Sequence, residues 1–420
     1  MPVHLFFYNI FCWLYRSGIR LAALWNPKAR LWTKGRVNWF EQIRTQFDNP
    51  AHQWIWMHCA SLGEFEQGRP VLEALRAQYP QHKILLTFFS PSGYEVRKDY
   101  KGADLITYLP MDSKANAMKF INLVNPKLVC WVKYEYWYYY LTILKKKQVP
   151  VLLVSGIFRP DQPFFKWYGR LHQYMLESFT QLFVQNEASR QLLNSIGFKK
   201  VTVNGDTRFD RVVEIANGFQ PLPAIEAFCG KYPVIVAGST WDADEEELDH
   251  YANTHPELRF IIAPHEIDAP HLHDIEQLFK HTIRYSEWSK TLQADPSVNT
   301  LIIDNIGMLS KLYHYATITY IGGGFGKDGV HNVLEAAVYG KPVVFGPVYD
   351  KFIEAAELVQ AGGGISIETA LELEEEFNEL LQNTTAYEKA ATAAARYVAS
   401  KTGATNAVTT YIQENRLLTS

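Results

Sequence analysis

Cysteine is scarce and scattered. Cys12, Cys59, Cys130 and Cys229 are the only four in 420 residues, and no two form a CxxC pair. Such spacing builds neither a zinc ribbon nor a disulfide framework, and it suits a reducing compartment. No apolar run reaches the roughly 20 residues that a spanning helix needs. The nearest approach, residues 3–15, is interrupted by His4 and Asn9. Neither sign of charge is in excess, since 41 basic and 44 acidic residues leave −3, which argues against a whole-chain nucleic-acid binder. With 47% apolar and 20% charged residues the composition is that of a folded protein. No short-period repeat is visible, so a solenoid is not indicated.

Acidic residues are missing altogether before Glu41, while Arg16, Arg20, Lys28, Arg30, Lys34 and Arg36 stand there among Phe, Tyr, Trp and Leu. The positive charges follow the apolar run, whereas a cleaved signal peptide carries them ahead of it. The pattern predicts an uncleaved amphipathic anchor lying in the membrane interface, its basic residues facing anionic lipid head groups. The alternative is an N-terminal helix packed on its own domain.

A chain of this length exceeds one hydrophobic core, so two domains are expected. Short apolar runs alternate with helical stretches in the manner of parallel βα units. Twelve strands are predicted, at Trp54–Ala60, Ile84–Ser90, Leu128–Lys133, Pro150–Ser155, Leu182–Gln185, Val201–Asn204, Val234–Ser239, Arg259–Pro264, Thr300–Asp304, Ile318–Gly322, Pro342–Phe345 and Gly364–Ile367. Between the two sets of six, Gly218, Pro221, Pro223 and Gly230 mark a linker. The expected organisation is a basic apolar segment at 1–40, a first Rossmann-like domain at 41–207, a linker at 208–232 and a second Rossmann-like domain with C-terminal helices at 233–420. Ligands of doubly wound sheets bind beyond the carboxyl ends of the strands, so function is sought on the loops that follow them, facing an interdomain cleft.

Four such loops carry candidate chemistry. After the first strand, H-C-A-S-L-G-E-F-E-Q-G at 58–68 puts Gly63, which permits close backbone approach to a ligand, beside Glu64 at a helix start, a fixed position for a general base. The alternative is a capping box made by Ser61 and Glu64. In V-K-Y-E-Y-W at 132–137, Glu135 stands among aromatics that can raise its pKa or bind a sugar face, or it pairs with Lys133 or an arginine as scaffold. In G-D-T-R-F-D at 205–210, Arg208 offers a planar fork to a phosphate or carboxylate, or pairs with Asp206 or Asp210. The fourth loop, I-G-G-G-F-G-K-D-G-V-H-N-V-L-E-A-A at 321–337, is a glycine-rich turn whose backbone amides can meet a phosphate, with Glu335 placed to accept hydrogen bonds from a ribose. It does not stand after the first strand, where the dinucleotide G-x-G-x-x-G fingerprint belongs, and it lacks the G-K-[ST] of a P-loop, so it suits an activated sugar nucleotide.

Two further clusters are read as scaffold. Asp242-Ala243-Asp244 precedes Glu245 at a helix start, where acids favour the helix dipole over a metal. His265, Glu266, His271 and His273 lack H-E-x-x-H spacing, and only His265, at a strand end, is retained as a cleft residue.

Together these blocks resemble the Kdo transferases, which move 3-deoxy-D-manno-octulosonic acid (Kdo) from CMP-Kdo to the lipid A precursor, lipid IVA. The most specific parts are A-S-L-G-E-F-E-Q-G-R-P at 60–70, G-D-T-R-F-D at 205–210, A-G-S-T-W at 237–241 and G-G-G-F…H-N-V-L-E-A-A. The resemblance implies a GT-B fold, inverting and metal-independent transfer without a cofactor, and residence on the cytoplasmic face of the inner membrane. It implies Glu64 as the base, with Glu135 and Arg208 stabilising the transition state. CMP contacts are implied for Pro264 and His265, for Gly307, Met308 and Leu309, and for Asn332, Val333, Leu334 and Glu335. The sequence departs from the family pattern at Lys133, where an acid is usual, at Arg208, where Lys is usual, and at Pro264–Ile267, which lacks the family's basic residue. An epimerase-type sugar-nucleotide enzyme and a non-catalytic membrane-bound sugar-nucleotide sensor are the competing readings.

Overall fold

The computed structural model of the chain describes residues 3–418, apart from 48, 50 and 294, so Met1 and Pro2 of the expected N-terminal segment lie outside the described residues. The chain divides into two compact units, Met1–Asp210 with Thr402–Ser420, and Arg211–Lys401.

The first unit holds β1 (Trp54–Cys59), β2 (Lys83–Phe88), β3 (Leu105–Tyr108), β4 (Pro126–Val132), β5 (Val151–Gly156), β6 (Gln181–Val184) and β7 (Val201–Val203). All pair in parallel, in the order β3-β2-β1-β4-β5-β6-β7. A parallel sheet has both faces covered, so its central strands are apolar throughout rather than alternating; every residue of β1 is buried. The second unit holds β8 (Val234–Thr240), β9 (Arg259–Pro264), β10 (Thr282–Arg284), β11 (Thr300–Ile302), β12 (Ile318–Ile321), β13 (Val343–Phe345) and β14 (Gly364–Ser366). These are again parallel, in the order β10-β11-β9-β8-β12-β13-β14. In each sheet the strand order reverses once, between β1 and β4 and between β8 and β12. There the loops leaving neighbouring strands part and open a crevice at the carboxyl edge.

All twelve predicted strands are present, and β3 and β10 are additional. The segment 208–232 carries two helices, Thr207–Asn217 and Pro223–Cys229, so it is not an extended linker. The last helix, Ala404–Glu414, belongs to the first unit and not to the second as expected, because Val408, Ile412 and Leu418 complete the apolar layer over β1, β2 and β4.

The N-terminal helix, Val3–Ala22, packs on its own domain by one face, as the alternative expectation has it. One face is docked: Cys12 is buried, the Tyr8 hydroxyl donates to Asp112 Oδ2 at 2.6 Å, and Asn9 Oδ1 accepts from the Tyr139 hydroxyl at 2.8 Å. The opposite side leaves Phe6, Phe7, Phe11, Trp13 and Leu14 exposed. Among the described residues no helix is long and apolar enough to cross a membrane. Arg36 does not face outward with the other basic residues. Its guanidinium lies 4.0 Å from the Trp32 ring centroid and donates to the backbone carbonyls of Trp32, Phe89 and Leu109, so aromatic packing and carbonyl acceptors hold it in the first unit's core.

Candidate active site

Ser61, in extended conformation after β1, starts the helix Leu62–Gln78, and its Oγ accepts from the Glu64 amide at 3.5 Å. The Glu64 carboxylate turns back to accept from the Ala60 amide, so only half of the predicted capping box is formed and the acid is held beside the strand end. Glu64 is 7% exposed. Burial first and the nearby Glu135 charge second push its pKa up to about 7, against the lowering effect of the Ala60 and Tyr134 amides and of Lys133. A carboxylate tuned there is matched to accepting a proton near neutral pH. A Cβ on Gly63 would meet nothing within 4 Å, so the approach to Glu64 is open at that point.

Glu135 follows β4, on the other side of the switch point. Lys133, between them, takes a left-handed conformation with φ +57°, which costs a non-glycine residue energy and turns the chain sharply. Glu135 Oε2 accepts from Trp137 Nε1 at 3.0 Å and lies 3.3 Å from His58 Nε2. His58 is fully buried on β1, and its Nδ1 lies 2.9 Å from Thr87 Oγ1. Two rings, one on β1 and one in the loop after β4, therefore fix one carboxylate. His58 was not singled out from the sequence; its only mark there is a polar residue in an apolar strand, one turn ahead of the candidate base.

Arg208 forms the predicted ion pair with Asp206, with Nε and Nη2 each 3.0 Å from Oδ2. Asp206 also accepts from Gln67 and Gln185, both at 2.9 Å, which ties the pair to the Glu64 helix through Gln67. The Tyr134 phenol registers the assembly: burial raises its pKa, Arg159 and Arg208 lower it, and Glu64 and Asp206 raise it. Glu64, Glu135 and Arg208 are thus brought to one edge of the first sheet, with Asp206 and Arg159 beside them.

In the second unit the glycine-rich turn departs from expectation. The Gly322 amide donates to Gly238 O at 2.9 Å and the Gly323 amide to Asp244 Oδ2 at 2.8 Å, so neither is free for a phosphate. Asp244 is fully buried and also accepts from the Trp241 amide and the Tyr320 hydroxyl. The glycines serve close packing instead: a Cβ on Gly322 would lie 2.3 Å from Ser239 O, and one on Gly324 2.5 Å from Gly346 N.

What occupies this crevice is a stack of rings. Trp241, His265 and His331 follow β8, β9 and β12, and the His265 ring centroid lies 4.6 Å from Trp241 and 4.5 Å from His331 at near-parallel angles. Trp241 Nε1 donates to His331 Nε2 at 3.0 Å. Burial, then the neighbouring His265, lowers the His331 pKa, favouring the neutral ring. Trp241 and His331 lay inside the quoted motifs but were not predicted as site residues. Pro264 ends β9, Gly307 (φ +96°) and Met308 precede the short helix Leu309–Leu312, and Asn332 and Val333 precede Leu334–Ala337. The Asn332 amide donates to Glu335 Oε1 at 2.9 Å. The predicted nucleotide contacts therefore fall at the end of β9 and on the loops and short helices that follow β9, β11 and β12.

Asp242, Glu245 and His271, predicted as scaffold, meet with ligand atoms within 4.8 Å of one another. Glu245 accepts from Thr240 Oγ1 at 2.7 Å and lies 3.0 Å from His271 Nε2, and burial outweighed by Glu245 and Asp242 raises the His271 pKa, the mark of an imidazolium between carboxylates.

Residues 34–211 match the family described as 3-deoxy-D-manno-octulosonic-acid transferase (Kdotransferase). The 3-deoxy-D-manno-octulosonic acid transferase of Aquifex aeolicus is 26% identical over 334 residues, 78% of this chain and 86% of that protein. The chain is similar to the Kdo transferases. The Haemophilus influenzae Kdo transferase is 25% identical over 352 residues, 80% of each chain. A bifunctional glycosyltransferase/methyltransferase of Fusobacterium nucleatum is 27% identical over 338 residues, and the chain spans 52% of its length. Among solved structures, UDP-GlcNAc 2-epimerase from Neisseria meningitidis covers 86% of this chain and 100% of its own, with TM-score 0.60 and 17% identity. MurG of Acinetobacter baumannii covers 86% and 99%, with TM-score 0.53 and 15% identity. At such identities the likeness is one of fold, and the fold of this Kdo-transferase relative is the GT-B type of the glycosyltransferases.

Proposed function

We propose that this protein transfers Kdo from CMP-Kdo to a hydroxyl of the lipid A precursor, lipid IVA, with inversion and with Glu64 as general base. The observation that carries the reading is Glu64 itself: a carboxylate held beside the strand end, with its pKa lifted to about 7. In the reaction the acceptor oxygen attacks the anomeric carbon as its proton passes to Glu64, and the bond from that carbon to the CMP phosphate oxygen breaks, releasing CMP. Glu135, fixed by His58 and Trp137, and Arg208, fixed by Asp206, supply a preorganised field around the reacting sugar. On the second unit, the stacked rings and the oriented Glu335 suit a nucleobase face and a ribose, with Pro264, His265, Gly307–Leu309 and Asn332–Glu335 as CMP contacts. The basic, aromatic outer side of the N-terminal helix suits peripheral attachment to the anionic cytoplasmic face of the inner membrane.

The test is transfer from CMP-Kdo, generated in place, to tetraacylated lipid A precursor, read by mass spectrometry of the lipid for the wild type and Glu64→Gln. A gain of one or more Kdo masses that disappears in the variant supports both reaction and base. No gain with folded wild type and proven CMP-Kdo supply overturns the acceptor or the chemistry.

A further inference from the structure

Two pockets flank the N-terminal helix. One is an apolar groove of about 720 Å³, lined by Phe7, Phe11 and Tyr15 of the helix, by Leu171 and Met175 of the helix Arg170–Leu176, and by Glu135. Its volume lies within the range of sites that bury small ligands. The other, about 330 Å³, is lined by Arg16, Arg20, Trp32 and Asn116. The charge acting on Arg16 is that of Arg20, a second cation, and both that charge and burial lower its pKa. The buried Trp32 Nε1 has no hydrogen-bond partner among the described residues. Helical periodicity sets Phe7 and Phe11 on one flank of the docked face and Arg16 and Arg20 on the other. A single helix thus offers an apolar trough on one side and, on the other, two arginines that no acid among the described residues pairs with, which is complementary to an amphiphile with an acyl chain and an anionic group. The trough also reaches Glu135, whose charge acts on Glu64.

We propose that this groove is an acyl-chain subsite of the glycosyl acceptor, so that a fatty acyl chain of the acceptor itself, rather than of a bulk membrane lipid, lies between the N-terminal helix and Arg170–Leu176. The inference rests on the acceptor being an acylated glycolipid, as proposed above. It implies that the N-terminal helix is a wall of the substrate site as well as a membrane contact, and that the acceptor is drawn from the bilayer chain-first.

The experiment is photo-crosslinking without donor, so that its outcome is independent of transfer. Tetraacylated lipid A precursor carrying a diazirine on one acyl chain is compared with phosphatidylglycerol carrying the same chain, in detergent micelles with the full-length protein. The expected result is labelling of the 168–175 peptide by the precursor, competed by unlabelled precursor and not by phosphatidylglycerol. Labelling confined to Phe6, Trp13 and Trp25 overturns the proposal in favour of plain membrane contact. Equal labelling of the groove by both lipids overturns it in favour of a bulk-lipid site. Groove labelling without any Kdo transfer would sustain the subsite and sink the proposed reaction. As a kinetic check, Leu171→Trp, which fills the groove, and Phe11→Glu, at an exposed position that leaves the core intact, should each narrow the KM preference for acylated over deacylated acceptor by about tenfold or more, the worth of a few buried methylenes. An unchanged preference in both variants overturns the proposal.

Discussion

Where β1 and β4 part in the first unit, imidazole and indole rings fix one carboxylate, Glu135, whose charge acts on a second, Glu64; where β8 and β12 part in the second, the rings themselves form the surface and the buried carboxylate, Asp244, points inward to hold the backbone. In both units the crevice lies beside the first strand of the sheet, where it neighbours β4 or β12, although the outer strands are ordered differently. The difference lies in what burial is used for. In the first unit it raises the proton affinity of Glu64, a property useful for chemistry; in the second it lowers that of His331, favouring a neutral ring there that is suited to stacking. Topology says where a ligand goes, and the local dielectric and neighbours say whether the protein reacts with it or holds it.

Four measurements would break or sharpen that contrast. The largest effect is expected at Glu64: Glu64→Gln should reduce transfer by about 10²- to 10⁴-fold, the usual worth of a positioned base, with CMP affinity measured by calorimetry unchanged. A comparable loss of CMP binding would mean the two centres are not functionally separate. Trp241→Ala should weaken CMP binding by roughly tenfold through lost stacking, with a smaller effect on kcat; equal CMP affinity would reduce the ring stack to scaffold. The pH profile of kcat/KM should rise as Glu64 loses its proton, with a limb near pH 7. Glu135→Gln removes a like charge that favours the protonated form, so the limb should move to lower pH in that variant, and an unmoved limb would detach Glu135 from the base. The smallest effect, none, is expected from EDTA, since Asp242, Glu245 and His271 are read as an ion-paired cluster. Activity lost to the chelator and restored by a divalent cation would make them a ligand set.

Much of this arrangement was legible in the sequence, and for a physical reason. Central strands of a parallel sheet are covered on both faces, so β1, β4, β8 and β12 appear as largely apolar runs, and the loops after them are found by counting forward. The strands that escaped are the edge strands β3 and β10, short and partly exposed, where no such run exists. Glu64, Glu135, Arg208 and His265 were nameable because each directly follows a strand. That two amides of the glycine-rich turn are taken up within the fold was not legible, because the group that accepts from Gly323, Asp244, lies 79 residues away in the chain and looks like an ordinary helix-start acid. His58 was hidden in the opposite way, as one polar letter in an apolar strand whose partners, Thr87 and Glu135, come from two other segments. The C-terminal helix shows by its spacing that Val408 and Ile412 are covered, but spacing carries no information about which sheet covers them.

That last assignment has a consequence for how the molecule is made. The apolar layer over β1, β2 and β4 is closed by Val408, Ile412 and Leu418, so on the ribosome the first unit to emerge is the last to be completed. The nascent chain must carry an unfinished core through translation of the whole second unit, exposing Val71, Leu75 and their neighbours at a stage when partly folded chains are prone to aggregate.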